Sequence, residues 1–453
     1  MNQPLPADQR AMLRRVRPVQ LIFLGFLLVT AAGTGLLLLP AATAPGGQTD
    51  FIHALFTATS ALCVTGLTVV DTGSHFSVFG QVVILVLIQL GGFGVMTFAT
   101  VVGLMVLGRL SLRSKLLAAT EAKSLGLADL RSLILGIIKI SLVIEAVLAV
   151  ILSLRLHLGY DMSLGDAIWH GSFHAVSAFN NAGFALYSDS MMGFVGDPVI
   201  GLPLCAAIIL GGLGFPVIMQ LRRRFRTPRL WSMHTRIVVW ATSVLLVLGT
   251  GMILALEWSN PATLGPMSWP EKLLASFFQS VQTRTAGFNS VDISAMKPTT
   301  WLGMDVLMFI GGAPAGTAGG IKVTTVAVLL FIVFTELRGD AAVNIFGKRL
   351  SRAVHRQAIA VVLLAGSLVV VVTGALMHLS GLPLDQVLFE TVSAFSTVGL
   401  STGITAELPM LGQLMLVLLM FIGRVGPITF ASALALRERR TLYELPKERP
   451  IIG

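Results

Sequence analysis

Four short segments of this 453-residue chain share a run of small, hydroxyl or amide residues that ends at a glycine. Residues 60–67 read SALCVTGL, residues 177–184 SAFNNAGF, residues 281–288 VQTRTAGF and residues 393–400 SAFSTVGL. Their glycines, Gly66, Gly183, Gly287 and Gly399, lie 117, 104 and 112 residues apart, which is a long internal repeat. A second landmark keeps register: Gly91-Gly92, Gly211-Gly212, Gly311-Gly312 and Gly423-Arg424 follow their glycines by 25, 28, 24 and 24 residues. The chemistry such segments permit is coordination through the backbone. A monovalent cation stripped of water needs several oxygen dipoles around it, and loop carbonyls supply them without a fixed charge. Glycine reaches backbone angles that a Cβ would obstruct. The candidate ion-coordinating residues are therefore Val64, Thr65 and Gly66; Asn181, Ala182 and Gly183; Thr285, Ala286 and Gly287; and Thr397, Val398 and Gly399.

Residues 311–322 read GGAPAGTAGGIK, too rich in glycine for an uninterrupted helix. A broken segment at membrane depth commonly lines a transport path. The expectation is a loop beneath the four glycines that obstructs conduction until it moves, with Gly311, Gly312, Gly316, Gly319, Gly320 and Lys322 as candidate gate residues, a close-packing kink being the alternative. It is not a Walker A loop, because Ile321 separates Gly320 from Lys322 and Val323 follows. Arg424 stands inside an apolar run, where a guanidinium is costly. It is expected to form an electrostatic barrier or to bind carbonyls of the 311–322 loop, a buried ion pair being the alternative. Arg284, three residues before Gly287, is expected behind its loop, bracing carbonyls or a helix end, rather than pointing at the ion path. Asp71, Asp189 and Asp292 follow three of the glycines and either concentrate cations at the entrance or stabilise solvated loops. Glu145 and Lys139, six residues apart, do not face each other on a helix, so Glu145 requires another partner. Eight histidines form no metal-ligand or catalytic cluster, which argues against an enzyme.

The elements that position these residues must be membrane helices. Hydrophobic residues make up 55% and charged ones 12% of the chain, excluding an ordinary soluble domain, and the mean hydropathy is +0.84. The only cysteines, Cys63 and Cys205, lie in apolar stretches and indicate neither a disulfide framework nor a zinc site. Apolar runs long enough to cross a bilayer fall at about 19–40, 79–107, 132–157, 199–220, 235–257, 301–335, 357–380 and 409–436. Ala42-Thr43-Ala44 imitates a signal-peptide cleavage site, but the preceding apolar run is longer than a signal-peptide core, so a retained helix is expected. Of the 32 Lys and Arg, 25 fall in five segments on one side of this eight-span arrangement, which places both termini in the cytoplasm. The net charge of +10 reflects that topology, and no nucleic-acid-binding pattern is present. Ahead of each glycine an amphipathic stretch opens at an acidic residue, Asp50, Asp166, Glu271 or Asp385, which reads as a short re-entrant helix. The expected fold is an all-α polytopic membrane protein of four helix, pore loop, helix repeats, with fourfold pseudosymmetry around one pore. The expected divisions are a cytoplasmic N-terminus at 1–18, repeats at 19–108, 109–221, 222–337 and 338–436, and a cytoplasmic tail at 437–453, whose apolar Ile451-Ile452-Gly453 end either docks at a subunit interface or is disordered.

Taken together, the TVGL of 397–400, NNAGF of 180–184, TAGFN of 285–289, GTAGGIK of 316–322 and Gly423-Arg424 resemble the Ktr/Trk/HKT superfamily of potassium transporters. With eight spans, the chain is more similar to the bacterial Ktr membrane subunit than to Trk proteins. The resemblance implies K+ as the transported ion, a homodimer in the cytoplasmic membrane, a cytoplasmic ring of nucleotide-binding regulatory subunits, and Na+ as an activating or coupling ion. It also implies gating by the broken sixth span and by Arg424. Glycine at all four positions goes with potassium in this family, and serine at the first goes with sodium passage. The first loop departs from TVGL, reading VTGL at 64–67. Sodium or ammonium permeation through the same architecture is the alternative.

Overall fold

Apolar runs opened by proline, serine or aspartate fold here as helices. The computed structural model describes residues 18–108, 127–340 and 342–426, and the only sheet among them is a hairpin of β1 (Asn344–Ile345) and β2 (Lys348–Arg349). Arg10 to Arg17, most of the basic loop after Arg109, the C-terminal arginines and Ile451-Ile452-Gly453 lie outside the described residues. The helices come in four sets. The first is α1 (Pro18–Leu37), short α2 (Phe51–Leu62) and α3 (Val78–Gly108). The second is α4 (Leu127–Gly159), short α5 (Leu164–Phe179), α6 (Pro198–Leu213) and α7 (Phe215–Arg224). The third is α8 (Met233–Glu257), short α9 (Trp269–Gln282), α10 (Pro298–Phe309) and α11 (Val323–Arg338). The fourth is α12 (Arg352–Ser380), short α13 (Leu384–Ser396) and α14 (Met410–Val425).

Each short helix packs on the long helix before it. The second long helix of each set meets the short helix of the next: α3 meets α5, α6 meets α9, α10 meets α13, and α14 returns to meet α2. Short helices thus lie inside and long ones outside. Outer faces are apolar, as at Val247 (71% exposed) and Val370 (70% exposed), a surface that water would not tolerate but lipid solvates. Among the described residues, Leu135–Gly159, Met233–Glu257 and Arg352–Ser380 are long and apolar enough to cross a bilayer unaided.

Two expected spans are broken. The run at 301–335 is split into α10 and α11 by the glycine-rich loop, as its composition indicates. The run at 199–220 was expected to be continuous, yet it bends by 104° between α6 and α7. Gly214 takes φ +81° there and Pro216 follows at the start of α7, so the helical hydrogen bonds cannot run through. The acidic helix starts also need correction. Asp50 is the cap of α2, but Ser163 caps α5, accepting from the Asp166 amide at 3.2 Å, and Ser268 caps α9 in a reciprocal box with Glu271. Asp166, Glu271 and Asp385 stand in the first turn, where a carboxylate still favours the helix dipole.

Candidate functional site

The loop after each short helix adopts the same unusual backbone. Val64, Asn181, Thr285 and Thr397, two residues before the four glycines, have φ of 55°, 59°, 68° and 52°, and the glycines have 90°, 70°, 81° and 94°. Left-handed backbone costs a residue with a Cβ about 1–2 kcal/mol, so something must hold it. The intervening amides do this by donating back into the helix end: Thr65 to the Ser60 carbonyl (2.8 Å), Ala182 to Ser177 (2.7 Å), Ala286 to Gln282 (3.0 Å) and Val398 to Ser393 (2.9 Å). The Ser60 and Ser393 hydroxyls accept from the Gly66 and Gly399 amides, both at 3.1 Å. The N–H groups are thereby committed to the helices, while the carbonyls of Thr65, Ala182, Ala286 and Val398 face the ring glycines of neighbouring loops.

Those carbonyls converge. A Cβ on Gly66 would fall closer than 3.0 Å to the Ala182 carbonyl oxygen, one on Gly183 to that of Ala286, one on Gly287 to that of Val398, and one on Gly399 to that of Thr65. Each loop therefore abuts the next, and the cycle closes. The second landmark has a steric origin. Gly91, Gly211 and Gly423 press on the carbonyls of Leu62, Phe179 and Phe395, each four residues before its ring glycine. A side chain at any of the three would push a short helix off its seat. In the third set, whose outer helix is broken, Gly311 lies instead against the Gly319 carbonyl.

Outside the glycines is a polar cavity of about 160 Å³, lined by all four of them with Thr68, Asp71, Tyr187, Ser188, Asn289 and Ser401 among others. Asp71 alone of the three expected acids lines it; Asp189 and Asp292 are exposed elsewhere, Asp292 accepting from the amide and hydroxyl of Ser294. Partial burial of Asp71 favours its neutral form. The hydroxyls of Ser74 (2.5 Å) and Ser188 (2.7 Å), with the amides of Gly73 and Ser74, outweigh this and hold its carboxyl below the ordinary carboxylate value.

On the opposite side of the ring lies the 311–322 loop. Its ends are pinned by Gly311 N–H to the Ile321 carbonyl (2.8 Å) and Val323 N–H to the Gly312 carbonyl (3.0 Å). Gly319 sits against the Thr397 side chain and Gly320 against Ser396, at the base of the fourth loop. Thr317 meets the Asn181 carboxamide at 2.8 Å, at the base of the second. Three cations take up carbonyls of this loop. Arg424 donates to Thr317 and also to Gly91 (2.9 Å), Arg284 to Gly311 (3.2 Å), and Lys322 to Ala318 (2.6 Å). Arg424 and Arg284 are thus carbonyl braces, with no carboxylate in ion-pair range among the described residues. Gly316 faces the carbonyls of Gly211 and Gly212, so the loop also rests on the end of α6.

Two buried carboxylates complete the surroundings. Glu145 on α4 accepts from Gln89 (3.1 and 3.3 Å) and from Asn180 (3.2 Å), the residue that ends α5; Lys139 is exposed on another face of α4. Glu390, inside α13 and wholly buried, accepts from the hydroxyls of Ser401 (3.1 Å) and Thr405 and so ties the fourth loop to its helix. Sequence reasoning passed over Glu390, although a lone carboxylate midway through a short apolar helix was a signal.

A helical protein with a lipid-solvated exterior and backbone carbonyls converging at its centre has the make-up of a membrane transporter. The chain belongs to the TrkH family of cation transport proteins, whose family model matches residues 23–439. It is 41% identical to Ktr system potassium uptake protein B of Bacillus subtilis over 94% of this chain and 95% of that protein. It is 42% identical to the protein of the same name from Vibrio alginolyticus over 96% and 94%. Potassium/sodium uptake protein NtpJ of Enterococcus hirae is 34% identical over 97% and 98%. The solved structure of the potassium transporter TrkH from Vibrio parahaemolyticus superposes with a TM-score of 0.74 at 18% identity, covering 92% of this chain and 84% of that one, which marks a shared fold.

Proposed function

We propose that the chain takes up potassium through one central pore in which four pseudosymmetric loops form a carbonyl filter. The ion is coordinated by carbonyls of Val64, Thr65 and Gly66 and of the matching residues 181–183, 285–287 and 397–399. The observation that carries this reading is the convergence of the Thr65, Ala182, Ala286 and Val398 carbonyls at a closed cycle of glycines. Oxygens already in place replace the hydration shell with little reorganisation, and the amides bonded back to the helices keep the oxygens from collapsing inward. Short helices whose C-terminal ends face the ring add favourable dipoles for a cation. Asp71 raises the local cation concentration in the outer cavity.

The 311–322 loop and Arg424 form the gate. The loop blocks the inner side of the ring while cationic donors hold its carbonyls, and conduction requires its displacement. Both termini face the cytoplasm, and the functional unit is a homodimer carrying a cytoplasmic nucleotide-binding ring. The relatives named for potassium uptake support potassium as cargo, and the relative named for potassium and sodium keeps sodium as a second reading. Uptake of potassium, rubidium and sodium into liposomes, comparing the native chain with Gly66→Ser, decides between them. Potassium-selective flux that loses discrimination on substitution is expected. Flux indifferent to Gly66 would remove the loops as the selectivity site, and equal sodium flux in the native chain would favour the second reading.

A further inference from the structure

The elbow at Gly214 is bonded directly to the loop assigned to gating. Three backbone hydrogen bonds join them: Ala313 N–H to the Gly212 carbonyl (2.9 Å), Thr317 N–H to Gly211 (3.1 Å), and Phe215 N–H to Ala315 (3.2 Å). A Cβ on Gly214 would strike the Pro314 carbonyl. Because Phe215 is the first residue of α7, that helix cannot swing about the elbow without pulling on Ala315. α6, of 16 residues, is about 24 Å long, and the 104° bend turns α7 nearly perpendicular to it, so that an α6 crossing the bilayer sets α7 parallel to the membrane plane.

The far end of α7 is built for that surface. Phe215 and Val217 face inward, whereas Arg222, Arg223 and Arg224 are exposed, followed by Phe225 (72% exposed), Arg226, Arg229 and Leu230 (57% exposed). The segment is fastened to the start of α8. Gln220 accepts from the hydroxyls of Ser232 (2.9 Å) and Thr235 (2.5 Å), and the Trp231 indole donates to the Arg224 carbonyl (2.9 Å). No carboxylate lies in ion-pair range of these arginines among the described residues, and the chain has no Asp or Glu from 215 to 256. Five guanidiniums interleaved with two bare apolar side chains match a surface that offers phosphates beside hydrocarbon. A free phosphate would leave Phe225 and Leu230 uncovered.

We propose that residues 222–230 bind the headgroups of anionic lipids in the inner leaflet and that, through the elbow, this binding holds the 311–322 loop in its seat beneath the ring. The inference rests on the gate reading above. Its direction follows from linkage: a ligand stabilises the conformation it fits, and the surface-lying α7 is the one bonded to the seated loop. Anionic lipid therefore lowers flux.

The test compares the native chain with a variant carrying Arg222→Gln, Arg223→Gln and Arg224→Gln, in vesicles of phosphatidylcholine alone or with about 30 mol% phosphatidylglycerol. Native rubidium flux is expected to fall about threefold or more with phosphatidylglycerol, and the variant to stay flat. Native flux equal in both vesicles, as would follow if the segment binds only a cytoplasmic protein, overturns the proposal; so does a variant that keeps the full response. Native mass spectrometry supplies the second arm, with the native chain retaining more phosphatidylglycerol than the variant. Equal retention overturns the proposal whatever the flux. Gly214→Ala should retain lipid normally yet lose the flux response, and a preserved response would refute transmission through the elbow. Absence of flux from the native chain in phosphatidylcholine refutes the pore reading instead, and is read apart from lipid retention.

Discussion

Replacing Arg424 by alanine tests how firmly the loop is held. Its guanidinium donates to the Thr317 carbonyl in the middle of the loop and to Gly91 on α3, bridging the loop proposed as the gate to an outer helix. A hydrogen bond from a charged donor contributes about 1.5–3 kcal/mol, and displacement of the loop must break the bond to Thr317. Its removal therefore lowers the cost of displacement by about that amount, which at about 1.4 kcal/mol per decade is roughly a 10- to 150-fold rise in the displaced population. The Thr317 carbonyl, left without its cationic donor, adds to the effect in the same direction. The bonds from Arg284 and Lys322 and the backbone bonds to α6 remain, so the loop loosens without losing its path. The assay is rubidium uptake per incorporated protein in liposomes, with thermal unfolding of the solubilised chain as the control for folding. Flux unchanged or lowered at equal incorporation and stability would refute the idea that this bridge keeps the loop seated.

Alanine at Gly287 should abolish flux, because the ring glycine has φ +81° and its Cβ would press on the Val398 carbonyl, whereas Gly165→Ala, with nothing within 4 Å, should leave uptake within about twofold. Glu145→Leu strands the amide of Gln89, while Asn180 keeps bonds to the Gln89 and Val176 carbonyl oxygens. The expected loss is about 1–3 kcal/mol in unfolding, with Glu145→Gln milder because it retains an acceptor; equal unfolding of the leucine variant and the native chain would dismiss Glu145 as a support. Asp71→Asn should raise the potassium KM about two- to fivefold, the effect of one charge acting across a watery cavity. Since the native carboxyl is held below the ordinary value of about 3.9, its charge is complete above that pH and is lost only as pH falls through the lowered value, so this group leaves KM flat between about pH 5 and 7.

The parts of the molecule legible in the sequence are those encoded locally and repeated. Gly66, Gly183, Gly287 and Gly399 could be aligned because each needs an angle and a close approach that other residues refuse, and they do meet. The interruption at 311–322 announced itself through glycine density. The break at Gly214 carried the same kind of signal in Gly-Leu-Gly-Phe-Pro, but the surrounding apolar residues outweighed it in a count of hydrophobic length. Expected helix starts were displaced at α5 and α9 because serine, which accepts a backbone N–H from the cap position itself, outcompetes an acid that is equally content one turn inside. The partners of Glu145 were beyond reach for a different reason: Gln89 and Asn180 stand 56 and 35 residues away on other helices, and only tertiary packing brings them together.

That all four loops belong to one chain has a consequence for how the protein can change. Behind the near-identical backbones stand four unlike residues, Cys63, Asn180, Arg284 and Ser396, and only the third set has the glycine-rich interruption, only the fourth an arginine beside its landmark glycine. An assembly of four identical subunits must repeat any such feature four times, so a mutation there is tried in every quadrant at once. Here each quadrant drifts separately while steric fit between neighbours preserves the shared ring. Under the gate reading proposed above, one quadrant carries the moving part and its neighbour the lock, so that displacement of a single strand of backbone would replace a concerted rearrangement of four.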